Sequence, residues 1–232
     1  MIEMTRTIVW VALVGLFVTL SGRVHGAPIT VSGYDIDRGR QSGFGGWSNY
    51  YNGTVTPNGD GTYAFSGGTL GTINDGLLPT SAYDSQLYYT SDNAVTTLYL
   101  SGGPYNVATI ELYGFNDGNS IPGNIDSVKV TINGTSEVFS TIGFGPVNFA
   151  NGVAINDRID LTGSMLEGLA TSKVDIQILT TYGGETRYYQ IGEAKVFGEA
   201  AAVPEPASLT LLGIMAIGGA AYGWYRRKQA VG

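Results

Sequence analysis

The chain has no cysteine and a single histidine, His25, among its 232 residues. Without cysteine there is no disulfide framework, so the middle of the chain must be held by its core alone. His25 sits in the N-terminal leader, which leaves the middle without imidazole or thiol. Ser-His-Asp and Cys-His nucleophile systems cannot be assembled there. Zinc, copper and non-haem iron, which lean on those two ligands, are disfavoured. Cations are scarce as well: residues 28–202 carry seventeen acidic and seven basic side chains, a net charge of −10. Such a surface repels phosphate backbones and argues against nucleic acid as a partner. No long amphipathic helix and no internal repeat runs through this region. What is left is carboxylate chemistry, hard cations held by oxygen, and neutral polysaccharide.

The two ends carry apolar segments. Residues 1–26 have the parts of a secretory signal peptide: Arg6 as the positive start, Ile8 to Leu20 as the apolar core, and small or polar residues up to Ala27. Cleavage after Gly26 puts Gly26 and Val24 at the last and third-last positions, whereas cleavage after Ala27 would place Pro28 beside the cut. The alternative, an uncleaved anchor, is disfavoured by the short apolar core. At the other end, residues 200–206 form an Ala/Pro linker and residues 207–225 are apolar or small. Residues 226–232 begin with Arg226-Arg227-Lys228. This predicts a single transmembrane helix of about the minimum spanning length. The basic tail is expected in the cytoplasm, with everything before Pro204 on the far side.

Between these ends, residues 27–199 read as one domain, long enough to bury a core. Short apolar-alternating runs separated by Gly/Asn/Asp turns predict an all-β sandwich. The predicted strands are Ala94–Leu100, Val107–Tyr113, Ser127–Ile132, Glu137–Thr141, Val153–Leu161, Lys173–Thr180 and Tyr188–Phe197. Asn58-Gly59-Asp60-Gly61 reads as a hairpin turn joining Tyr50–Thr56 to Thr62–Ser66, and Asn133-Gly134 as a second one. Ser164 and Glu167 have capping-box spacing, which predicts a single helical turn there.

Two resemblances emerge. Val-Pro-Glu-Pro (Val203, Pro204, Glu205, Pro206), then the apolar run, then Arg226 and Arg227, closely resembles the PEP-CTERM sorting signal of certain bacteria. That resemblance implies export, an exosortase-type membrane protease cutting near Pro-Glu-Pro, and delivery to the cell surface or extracellular polysaccharide. The other reading is a plain membrane anchor. In the middle, Asn74-Asp75-Gly76-Leu77-Leu78-Pro79-Thr80 is followed by Ala94–Leu100, Tyr105–Tyr113 and a closing Tyr189–Gly198. That order looks like the discoidin or coagulation-factor type C group of galactose-binding-like jelly rolls. It implies a jelly-roll β-sandwich and a structural calcium held by Asp75, Thr80 and Glu193 with backbone carbonyls. Two departures stand out: Ala82-Tyr83 replaces the tryptophan usual after the Asp-Gly turn, and no site histidine exists. The residues themselves also allow a plain reading, an Asx turn at Asp75 and a solvent-facing Glu193.

Aromatic residues supply the ligand candidates, because aromatic faces stack on sugar rings. Trp47, which follows Gly45-Gly46 in an expected loop, and Tyr83 are the candidates, with core packing the other reading of Trp47. The pairs Tyr50-Tyr51, Tyr88-Tyr89 and Tyr188-Tyr189 also allow one ring in the core and one on the surface. Asp35 with Asp37, and Asp157 with Asp160, are the carboxylate pairs a glycosidase would need. The expected function is therefore a non-catalytic carbohydrate-binding domain on an exported surface or matrix protein. A purely structural matrix protein and a carboxylate-based glycan-active enzyme are the alternatives.

Overall fold

The computed structural model describes residues 26–116, 124–143, 153–182 and 188–202. Residues 1–25 of the leader, and with them the expected signal-peptide helix, lie outside that set. So do the expected transmembrane helix 207–225 and the sorting residues Pro204, Glu205, Pro206, Arg226 and Arg227. Among the described residues no helix is long and apolar enough to cross a membrane.

Fifteen strands follow one another: β1 (Ala27–Ile29), β2 (Val31–Gly39), β3 (Thr54–Pro57), β4 (Tyr63–Gly68), β5 (Gln86–Tyr89), β6 (Val95–Leu100), β7 (Tyr105–Asn116), β8 (Asn124–Ile132), β9 (Thr135–Ser140), β10 (Ile142–Gly143), β11 (Val153–Asp160), β12 (Ala170–Thr171), β13 (Lys173–Tyr182), β14 (Tyr188–Ile191) and β15 (Glu193–Ala200). One sheet runs β1-β15-β7-β11-β10, with β12 also on β7, and the other runs β3-β4-β2-β6-β13-β8-β9. Strands β5 and β14 form a separate pair. Neighbours are antiparallel, and the chain changes sheet after β1, β6, β7, β9 and β12, and once more through β14 between β13 and β15.

Alternation puts Ile110, Leu112, Ile159 and Val196 of the first sheet inside, against Leu98, Val128, Val130, Val174 and Ile176 of the second. All are buried aliphatic side chains, mostly β-branched, which suit a pleated surface. The tyrosine pairs split as strand geometry requires: Tyr88 and Tyr189 are buried and stack at 4.7 Å with 3° between planes, while Tyr89 and Tyr188 point outward.

Both expected hairpin turns form. Ile132 pairs with Thr135 across Asn133 (φ 50°) and Gly134 (φ 82°), and β3 pairs with β4 across residues 58–62. Three expectations need correction. Residues 188–197 are not one strand: the chain breaks at Gly192, leaving β14 paired with β5 and β15 with β7. The Gly192 N–H donates to the Tyr113 carbonyl at 2.7 Å. A Cβ there would lie 2.6 Å from Pro79 Cγ and 2.9 Å from Ser85 Oγ. Residues 162–168 form tight turns in place of a helical turn, because Ser164 Oγ and Glu167 Oε2 accept from Leu166 and Gly163 N–H groups and close each bend locally. The segment before Pro57 is a strand only from Thr54.

Gly192→Ala is expected to destabilise the purified full chain by about 1–3 kcal/mol, the usual cost of overpacking. Chemical denaturation measures it, and a loss below about 0.5 kcal/mol would show that the sheet switch tolerates a side chain.

Candidate functional site

Loop 73–80 runs along the start of β15. The Ala194 N–H donates to the Ile73 carbonyl at 2.8 Å, and Gly76 (φ 81°) donates its N–H to Glu193 Oε2 at 3.2 Å. Asp75 Oδ1 accepts from the Leu77 N–H at 2.8 Å, which is an Asx turn. The turn is the plain expectation for Asp75, but Glu193 does not face solvent: it is 5% exposed beneath the loop. Burial pushes its carboxyl up to about 7, the Asp75 charge pushing the same way against the Gly76 bond and Lys195. Thr80 is exposed and donates to Asp84 Oδ2 at 3.4 Å. Asp75 and Glu193 are therefore brought together, while Thr80 is engaged elsewhere.

This donor set is oxygen only: two carboxylates close enough to feel each other, with backbone around them. That chemistry fits a hard cation such as calcium, which takes carboxylate and carbonyl oxygens at flexible angles. Among the described residues no three His, Cys, Asp or Glu side chains converge. Backbone carbonyls and the Thr80 hydroxyl would have to complete a shell. A cavity of about 320 Å³ adjoins the loop, lined by Ile29, Val31, Asn74, Gly76, Glu193 and Lys195.

The aromatic candidates lie elsewhere. Trp47 is 4% exposed and packs with Leu87, Tyr89 and Tyr188. The flanking glycines do the opposite of exposing it. Gly43, Gly45 and Gly46 have positive φ and turn the loop back, so that Trp47 N–H donates to the Phe44 carbonyl. Tyr83 rests on Trp47 with ring centroids 4.8 Å apart and is 37% exposed. Phe44 is 42% exposed beside them, edge-on to Tyr89 at 5.9 Å. Tyr83 thus stands open on buried Trp47, and Phe44 stands open on Tyr89.

Sequence reading missed Arg40. Its guanidinium stacks over Tyr89 at 3.8 Å, lies 5.5 Å from the Phe44 ring and pairs with Asp92 at 2.5 Å. Fifty-two residues separate that ion pair, so no local pattern marks it. It also missed a network on the outer face of the first sheet. Arg158 donates twice to Glu111 Oε1, Tyr113 O–H donates to Glu111 Oε2, and Lys195 sits over the Tyr113 ring at 4.9 Å.

The carboxylate pairs are occupied. Asp35 accepts from Gly67 N–H and Tyr99 O–H, and Asp37 accepts from Val95 N–H. The Asp35 bond helps push the Tyr99 hydroxyl up to about 12. Asp157 is buried, whereas Asp160, three residues on, caps the turn at Thr162.

A raised carboxyl is destabilised as its folded form is forced to ionise. Its stabilising contribution is full below the ordinary value of 4.5 and is lost as pH rises through about 7. In chelator, Glu193→Gln is therefore expected to narrow the fall in unfolding free energy between pH 5 and pH 8 by no more than about 3 kcal/mol, seen as a smaller fall in thermal midpoint. An unchanged slope in the variant would show that Glu193 titrates normally.

No curated protein matches this chain. Solved structures similar to it include CBM32-3 from a family 31 glycoside hydrolase of Clostridium perfringens, at 19% identity and TM-score 0.33, covering 50% of this chain and 75% of that one. A Streptococcus pneumoniae fucose binding module is similar at 13% identity and TM-score 0.36, covering 66% and 92%. CBM32-5 of Clostridium perfringens, in complex with GalNAc-beta-1,3-galactose, is similar at 16% and 0.33, covering 66% and 96%. Residues 202–228 match the model of the PEP-CTERM protein-sorting motif, so this chain carries a PEP-CTERM sorting signal, which implies export and sorting to the cell surface.

Proposed function

We propose that the sandwich is a non-catalytic carbohydrate-binding domain of the galactose-binding-like jelly-roll type. It is carried by an exported bacterial protein that an exosortase-type protease releases to the cell surface or extracellular polysaccharide. The observation that carries the reading is a pair of open aromatic rings, Tyr83 packed on buried Trp47 and Phe44 packed on Tyr89, in an acidic domain that its own tail marks for sorting. Aromatic rings held in place by packing offer a sugar ring an apolar face at little entropic cost. Calcium at Asp75 and Glu193 is the structural cofactor of this reading: it would neutralise a buried carboxylate and pin loop 73–80 to β15. The backbone bonds that occupy Asp35 and Asp37 support a binding role over a hydrolytic one.

Phe44→Ala and Tyr83→Ala are each expected to weaken binding of the purified full chain to neutral glycans on an array by at least about tenfold, with the thermal midpoint little changed. Trp47→Ala is expected to cost about 3–5 kcal/mol of stability instead. Glycan binding that both surface variants retain, or its absence in the wild type, would leave the structural matrix reading.

Calcium at a hundred times its dissociation constant is expected to stabilise the full chain by about 2.7 kcal/mol. Glu193→Gln should abolish that gain, and a gain that survives the substitution would place the ion elsewhere.

A further inference from the structure

The interior of the sandwich holds one carboxyl that neither the aromatic surface nor the Glu193 loop uses. Asp157, on β11, is turned into the core and is 1% exposed. Its Oδ2 accepts from the Ile125 backbone N–H of β8 at 3.1 Å, so the bond joins one sheet to the other near the start of β8. Its Oδ1 is buried with no hydrogen-bond partner, and so is Thr181 Oγ1. Thr181, on β13, is the cross-strand neighbour of the same Ile125. Two orphaned oxygens therefore flank one residue. A carboxylate can only accept, and a proton on Oδ1 makes that oxygen a donor.

No cation among the described residues faces this carboxyl. Arg158, next on β11, points to the opposite face and holds Glu111 of β7, with Tyr113 on that same face. On β8, Asp126 accepts from Thr180 and Lys129 pairs with Gln177 and Val138 on the outer side. On β13, Asp175 accepts from Thr97 and Lys173 is exposed. Gly143 of β10 lies opposite Asp157 in register. An ionised carboxylate buried without a partner is costly, and such a group keeps its proton instead. Burial accordingly pushes Asp157 up to about 7, against the Ile125 bond, which favours the charged form.

We propose that Asp157 is a proton-operated latch between the two sheets: as a carboxylic acid it lets the start of β8 close over β11, and on ionisation the cost of burying the charge outweighs the firmer Ile125 bond and opens that corner to water. The folded state holds the proton more tightly than an opened one. The latch is therefore at full strength below the ordinary value of 3.8 and is lost as pH rises through about 7.

Amide hydrogen exchange on the purified full chain tests this. The protection factor of Ile125 is expected to fall at least about tenfold between pH 5 and pH 8 while that of Val130, further along β8, holds; each pKa unit is a factor of ten in that equilibrium. Asp157→Asn, uncharged and nearly isosteric, should flatten the Ile125 response. A pH-independent Ile125, an equal loss at Val130, or a slope that persists in the variant would overturn the latch. If the variant does not fold, carbon-13 titration of the wild-type Asp157 carboxyl decides. A midpoint near 7 over which the wild-type Ile125 amide also loses its protection upholds it, and a midpoint near 4 overturns it.

Discussion

Everything in the described sandwich depends on the apolar contact between its two sheets, because no cysteine is present to staple them. Ile110, Leu112 and Val196 on one side meet Leu98, Val130 and Ile176 on the other, and each fully buried aliphatic side chain contributes about 1.5–3 kcal/mol relative to exposure. The contact also fixes register. A one-residue slip of β15 on β7 would turn Val196 out and Lys195 in. The register that buries Val196 sets Glu193 opposite Tyr113 and Lys195 opposite Glu111. The loop site and the outer polar network are by-products of core packing.

Charge follows from the same scarcity that the composition shows. The few cations near the site are held against aromatic rings or carboxylates: Arg40 on Tyr89 and Asp92, Lys195 on Tyr113, Arg158 on Glu111. These contacts organise surface and rim. Glu193 and Asp157 are buried without such a partner, and burial raises both carboxyls to about 7. Low dielectric makes these two positions sensitive to protons.

Local chemistry was legible in proportion to how local it was. Asn133-Gly134 reads as a two-residue turn because both central residues adopt positive φ, and it is one. The strand that begins at Lys173 reads from strict alternation and is found. The break at Gly192 was not legible, since its cause is Pro79 and Ser85, more than a hundred residues away. Trp47 reads either as a ring on an exposed glycine loop or as core, and the structure takes the core reading, three positive-φ glycines folding the loop onto Leu87 and Tyr188. Ser164 and Glu167 carry a helix-start spacing, but each closes a bend within its own turn.

By itself the sequence determined the chemical vocabulary of this protein: no thiol or imidazole in the domain, a negative surface, an all-β alternation, and a sorting signal at residues 202–228. These are properties of composition and of contiguous segments, and they do not depend on which strand meets which. Only the tertiary structure decided that Glu193 lies under loop 73–80, that Trp47 is buried beneath Tyr83, and that Asp157 spans two sheets through Ile125. Each of those facts is a burial or a contact between distant segments. Burial sets the free energy of a charge or a ring, and strand pairing sets burial.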